Sequence, residues 1–201
     1  MNQDLLKALG IILGGILATV APYIATWVKK RFAKDAEAKS FLHNAEYRVK
    51  INEVLVEVRA LTGANRVAVM EYHNGNAAMN GLPFNYASMT YEKTDQTTRD
   101  MMPSFQKMPI SALCEVLLDV HNSQKGYVKV NENYKYEDAV EVQKYYGIDT
   151  SYIFRIGNHI KHGTVHIMWI NENPELQEEE LEIIHYKVMY INELMEKMKK
   201  H

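Results

Sequence analysis

The apolar positions of this chain change period along its length, and each change marks an element. From Ala8 to Val28 it reads ALGIILGGILATVAPYIATWV, without a charged residue. Roughly 20 apolar residues cross a hydrocarbon core of about 30 Å, so this run has the length of a membrane span. Tyr23 and Trp27 stand near its end, where interfacial aromatics belong. Gly10 and Gly14 form a small-residue pair through which two spanning helices can approach closely. Lys29, Lys30, Arg31 and Lys34 follow at once, and positive charge on that side keeps the C-terminal bulk in the cytoplasm. The pattern predicts a single-pass transmembrane anchor with a basic flank over residues 1–34, embedded through residues 8–28, and a cytoplasmic domain over residues 35–201.

Beyond the flank the period becomes helical. Tyr47, Ile51, Val54, Val58 and Leu61 recur three and four apart, and Thr62-Gly63 ends that helix. Arg66 to Tyr72 reads as a buried strand and Phe84 to Tyr91 as its partner, joined by a loop with two Asn-Gly steps and a proline. Ile110 to Val120 reads as a helix, Gly126 to Val130 as a short strand, and Tyr136 to Tyr146 as a helix closed by Gly147. Ser151 to Ile156 and Thr164 to Ile170 are strands around a hairpin turn. For the last helix Asn173 serves as cap and Pro174 as first-turn residue. Glu175, Glu178, Glu179 and Glu180 lie at its positive end. Leu181, Ile184, Val188, Ile191, Met195 and Met198 make a heptad-like seam along it. This order predicts an α+β fold, a five-stranded antiparallel sheet with helices on one face.

Composition narrows the function classes. At 47% hydrophobic and 24% charged, the 201 residues are those of a globular protein, one domain plus an appendage. A net charge of -2 exerts no pull on nucleic acid, so none is expected as a partner. The single cysteine, Cys114, excludes an intrachain disulfide and a cysteine-based zinc site. It falls on the apolar side of its predicted helix, as a small core residue does.

The candidate chemistry gathers at Glu71-Tyr-His-Asn-Gly75, where a strand meets a turn. Alternation puts Val67, Val69, Glu71 and His73 on one face and Ala68, Met70 and Tyr72 on the other. Glu71 and His73 can serve as acid and base. Yet no nucleophile stands at a recognisable spacing and no glycine-rich phosphate loop is present, so no enzyme and no catalytic residue are assigned. Two readings stay open, ligand contacts from Glu71, His73 and Asn74 or turn-stabilising hydrogen bonds by His73 and Asn74, with a hydrolase using Glu71 and His73 the least favoured. Tyr86, Ser88 and Thr90 share one strand face, and Tyr152 and Phe154 share another. Aromatics with hydroxyls suit a small planar ligand, and an aromatic core accounts for them equally well. His159, His162 and His166 have a zinc-like spacing but straddle the predicted hairpin, so no metal and no cofactor are expected.

Lys144 to Ile170, with Gly147-Ile-Asp-Thr-Ser151 entering one strand and Gly163-Thr-Val-His-Ile167 forming the next, resembles the C-terminal half of a GAF domain. The helix opening with Glu178-Glu-Glu-Leu-Glu-Ile-Ile184 extends the resemblance to roughly residues 40–198. The proline common at the end of the entry strand is absent, with Phe154-Arg155-Ile156 in its place, so no ligand class carries over. The resemblance implies a sensory or binding module with its pocket between the sheet and the Phe105–Tyr146 elements. It also implies a homodimer through the first and last soluble helices.

The leading expectation is thus a membrane-anchored, cytoplasm-facing GAF-like module that binds a small molecule and acts through dimerisation, with no catalytic output domain. The competing class is a phage- or plasmid-type membrane protein, holin-like or host-interacting, whose spanning segment is the working part. Depolarisation or lysis caused by residues 1–34 alone would favour the second.

Overall fold

The computed structural model describes residues 22, 23, 26, 42, 44–74, 85–157 and 163–199. The chain divides into two compact units, Met1–Glu46 and Tyr47–His201. In the first, the described residues are helical, and Thr26 Oγ1 donates a hydrogen bond to the Pro22 carbonyl at 2.7 Å. The expected span over residues 8–28 otherwise lies outside the described residues. Among the described residues no helix is long and apolar enough to cross a membrane.

The second unit is built on β1 (Arg66–His73), β2 (Tyr86–Thr94), β3 (Met108–Pro109), β4 (Tyr127–Val130), β5 (Thr150–Arg155) and β6 (Gly163–Trp169). Its helices are α1 (residues 47–62), α2 (Cys114–Asn122), α3 (Glu137–Tyr145) and α4 (Glu178–Lys199). All strands join one antiparallel sheet in the order β3-β2-β1-β6-β5-β4. The sheet therefore has six strands, not five. The extra one is a two-residue edge piece ending in Pro109, where a missing N–H costs no ladder bond.

Both faces of the sheet are covered, which corrects the expectation of helices on one. On one face Val67, Val69, Val165, Ile167 and Trp169 pack against α1 and α4. The α1 contribution is Ile51, Val54, Leu55 and Val58; Leu61, expected in the stripe, is exposed. Gly63 ends α1 at φ 65°, a backbone region that other residues adopt only at a cost. In α4, Ile184, Val188, Ile191 and Met195 are buried as the seam requires. That helix starts later than Asn173: Glu180 Oε2 accepts the backbone N–H of Gln177 at 2.8 Å, half of a capping box. Asn173 Oδ1 instead accepts from the Thr150 hydroxyl at 3.0 Å.

The opposite face carries Ala68, Met70, Tyr72, Ala87, Met89 and Met168, under the segment containing Met101 and Phe105. That segment is tied down by a buried ion pair. Arg66 Nε meets Glu92 Oε1 at 2.7 Å, and the Glu92 carboxylate also accepts the N–H groups of Met101 (2.9 Å) and Met102 (2.8 Å).

Candidate ligand-binding cavity

Strand alternation, with sequence spacing that puts Met70 and Tyr72, Ser151 and Ile153, and Thr164, His166 and Met168 on one side, sends these residues towards the covering segment. Phe105, α2, α3 and Tyr146 close over them around a cavity of about 80 Å³. A single buried water needs on the order of 10–15 Å³, so this space holds several waters; a benzene-sized ring fits a cavity of about 150 Å³ and would also need the open side of this one. Its walls are mostly Met, Leu, Val and Ile, and the Phe105 and Tyr146 rings meet at one side, 4.5 Å apart and tilted by 55°.

Two polar stations interrupt the apolar wall. At the first, the Tyr72 hydroxyl donates to Thr164 Oγ1 at 3.4 Å, and Thr164 Oγ1 lies 2.8 Å from His166 Nε2. Thr164 Oγ1 accepts from Tyr72 and either donates to Nε2 or accepts from it, according to the tautomer of His166. Burial pushes the Tyr72 phenol up to about 12 and lowers the His166 imidazolium to about 4, so both are neutral near pH 7. At the second station, Gln143 of α3 donates to the Ser151 hydroxyl. Ile153 faces His166 across the ladder, so Ser151 is a diagonal neighbour, about 7–8 Å away. Gln143 and Ile148 also line an outer cleft of about 350 Å³ with Asn131, Lys144, Asp149 and Asn171. They are the partition between the two spaces.

The structure places the sequence-predicted site residues elsewhere. Glu71 Oε1 accepts from Thr90 Oγ1 at 3.0 Å, and His73 Nε2 lies 2.8 Å from Ser88 Oγ. The His73 and Tyr86 rings stack, 6.1 Å between centroids. These five residues form a satisfied cross-strand cluster on β1 and β2, and Asn74 follows it, exposed. Tyr152 and Phe154 belong to the core under α1 and α4. None of the eight lines the cavity. Cys114 is exposed rather than a core residue. His159 and His162 lie outside the described residues, and no group of three His, Cys, Asp or Glu side chains among the described residues can hold a metal. The overlooked signal was on β6, where Thr164 and His166 are polar residues at alternate positions of an otherwise apolar strand.

No family model matches the sequence, and no curated protein matches it. Solved structures do match. A far-red cyanobacteriochrome photoreceptor is 10% identical, with a TM-score of 0.58 over 85% of this chain and 97% of that one. The phycocyanobilin-bound GAF domain of a cyanobacterial phytochrome is 17% identical, with a TM-score of 0.56 over 80% and 96%. The blue-light absorbing form of the PixJ GAF domain from Thermosynechococcus elongatus is 9% identical, with a TM-score of 0.54 over 79% and 92%. The domain has the GAF fold. The cavity of this GAF-like domain lies between the sheet and the Phe105–Tyr146 elements, the position that the sequence resemblance implied.

Proposed function

We propose that the GAF-like domain is a ligand-binding sensory module. The observation that carries this reading is the partly enclosed apolar cavity with its polar station of Tyr72, Thr164 and His166. Solved domains of similar fold hold biliverdin, phycoerythrobilin or phycocyanobilin, and one is a far-red cyanobacteriochrome photoreceptor, which supports a sensory, ligand-binding role. Binding fits the site better than turnover. Thr164 and His166 have the contact of a nucleophile and its base, but a His with a pKa of about 4 is a weak base at pH 7. No carboxylate among the described lining residues orients it.

The test is a set of thermal melts of the full chain against small ring compounds. A ligand at about 100 times its Kd adds roughly 2.7 kcal/mol, a shift of several degrees for a domain of this size. Ala139→Phe, which fills the cavity from α3, is expected to abolish the shift. A shift that survives in folded Ala139→Phe protein would place the ligand elsewhere, and a library without hits would count against a sensory ligand.

The same proposal includes dimerisation and a membrane anchor. Ion pairing of Lys187 with Glu57 joins α4 to α1, and next to it Val49, Val56, Ile183, Tyr186 and Met189 are exposed. Apolar side chains at three- to seven-residue spacing on adjoining helices suit a second copy of the chain. The uncharged run over residues 8–28 and its basic flank support single-pass anchoring with the domain in the cytoplasm. Full-length protein should stay with membranes through carbonate extraction, and its recovery in the supernatant would remove this part of the proposal.

A further inference from the structure

The cavity is unusual in what it lacks. Among the described residues that line it there is no Asp, Glu, Lys or Arg. Its polar groups are two hydroxyls at the His166 station, a hydroxyl and a carboxamide at the Ser151 station, one imidazole, and the phenol of Tyr146 in the wall. The imidazole is neutral near pH 7, because burial opposes its protonation. An anion entering this space would lose its hydration and meet no cation, and a cation would meet no carboxylate. Hydrogen bonding is therefore the whole of the polar recognition available there. It is also incomplete. Nε2 of His166 is engaged by Thr164, and no hydrogen bond to the other ring nitrogen exists among the described residues. In a neutral imidazole that nitrogen is a donor or an acceptor according to the tautomer, and either way it can meet a ligand group. The carboxamide of Gln143, across the diagonal of the ladder, offers both a donor and an acceptor once it leaves Ser151.

We infer that the cavity selects an uncharged, compact aromatic or heteroaromatic molecule carrying a hydrogen-bonding group such as a carboxamide, received by His166 and Gln143. This rests on the ligand-binding reading above and adds the chemical class. It excludes nucleotides and carboxylic acids as ligands of this space, because each would bury a net charge without a counter-charge.

Three probes separate the possibilities: indole, indole-3-carboxamide and indole-3-carboxylate, the last two alike in shape and different in charge. Each is titrated into full-length protein carrying ¹³C-methyl methionine, because Met70, Met89, Met101 and Met168 line the cavity and report occupancy. The carboxamide is expected to shift these four methyls and to bind at least ten-fold more tightly than the carboxylate, with indole in between. His166→Phe should reduce the advantage of the carboxamide over indole by five-fold or more, and Gln143→Met, a milder change on α3, should do the same. Equal or tighter binding of the carboxylate at these methyls would overturn the charge selection while leaving the site a ligand pocket. Indole binding as tightly as the carboxamide would overturn the role of His166 and Gln143. If no probe moves the four methyls, the inference fails, and the ligand-binding reading fails with it unless the melts find a hit that Ala139→Phe abolishes.

Discussion

His166 combines a titratable ring with a site that refuses its charged form. Its imidazolium is lowered from 6.5 to about 4 by burial. The unfolded chain thus binds a proton that the folded one does not between those values, and stability falls as pH drops from 6.5 to 4. The whole effect is on the order of 3 kcal/mol, at about 1.4 kcal/mol per pH unit. Urea midpoints followed from pH 7 to pH 4 should show a steeper loss in the wild type than in His166→Gln; parallel curves would remove the effect. Arg66 tests the opposite case, a charge that is buried and paired. Its Nη1 has no partner among the described residues, so the guanidinium depends on Glu92 and on the Arg99 carbonyl at 2.6 Å. Arg66→Met leaves the Glu92 carboxylate buried without its cation and should cost roughly 3–5 kcal/mol in denaturant unfolding. The double variant with Glu92→Met should regain only part of this, because the Met101 and Met102 N–H groups then lose their acceptor. A single variant within 1 kcal/mol of wild type, on the scale of an ordinary surface change, would contradict the assignment.

Among the strands, β6 is placed against β1 by one glycine. Gly163 has φ 138°, and a methyl group there would run into the Met70 carbonyl oxygen across the ladder. Gly163→Ala is therefore expected to destabilise by more than about 3 kcal/mol and to recover little folded protein, whereas Gly147→Ala, with open space around it, bears only the cost of its φ of 70°. Circular dichroism melts of the two variants make the comparison, and equal melts would refute it. The elements themselves were legible in the sequence because helix and strand periods are local. Alternation on β1 also separated Val67 and Val69 from Met70 and Tyr72 correctly. It could not tell which face holds the cavity, since both faces are apolar and covered. The break in register between Val69 and Met70 hid the rest: Met89 faces one core while Tyr91, two residues on, faces the other. A reading that keeps strict alternation through Tyr86, Ser88 and Thr90 cannot see that change of face. β3 was invisible because two residues carry no period.

For the molecule as a whole, the apolar surface left on the helices is narrow. Leu55 and Leu194, which stand beside the main stripes of α1 and α4, are buried, while Ile183 and Met189 are exposed. Asp at Ile191 or Leu194 would therefore unfold the domain rather than split a dimer, since both are at most 1% exposed. The interface is tested by Ile183→Lys with Met189→Lys, surface changes expected to alter stability by no more than about 0.5 kcal/mol each. Light scattering should then report monomers where the wild type reports dimers; a wild type already monomeric would refute the proposed interface. The sheet order has a consequence for how the protein is made. Its central strand β1 pairs on one side with β6, and Arg66 meets Met168, about 100 residues further along the chain. At roughly 5–20 residues per second, a ribosome needs about 5–20 s to deliver that partner. During this interval one edge of β1 and the apolar side of α1 have nothing to cover them. Yield in the cell should thus follow the pace of translation and the chaperones at hand, more than the final stability of the folded domain.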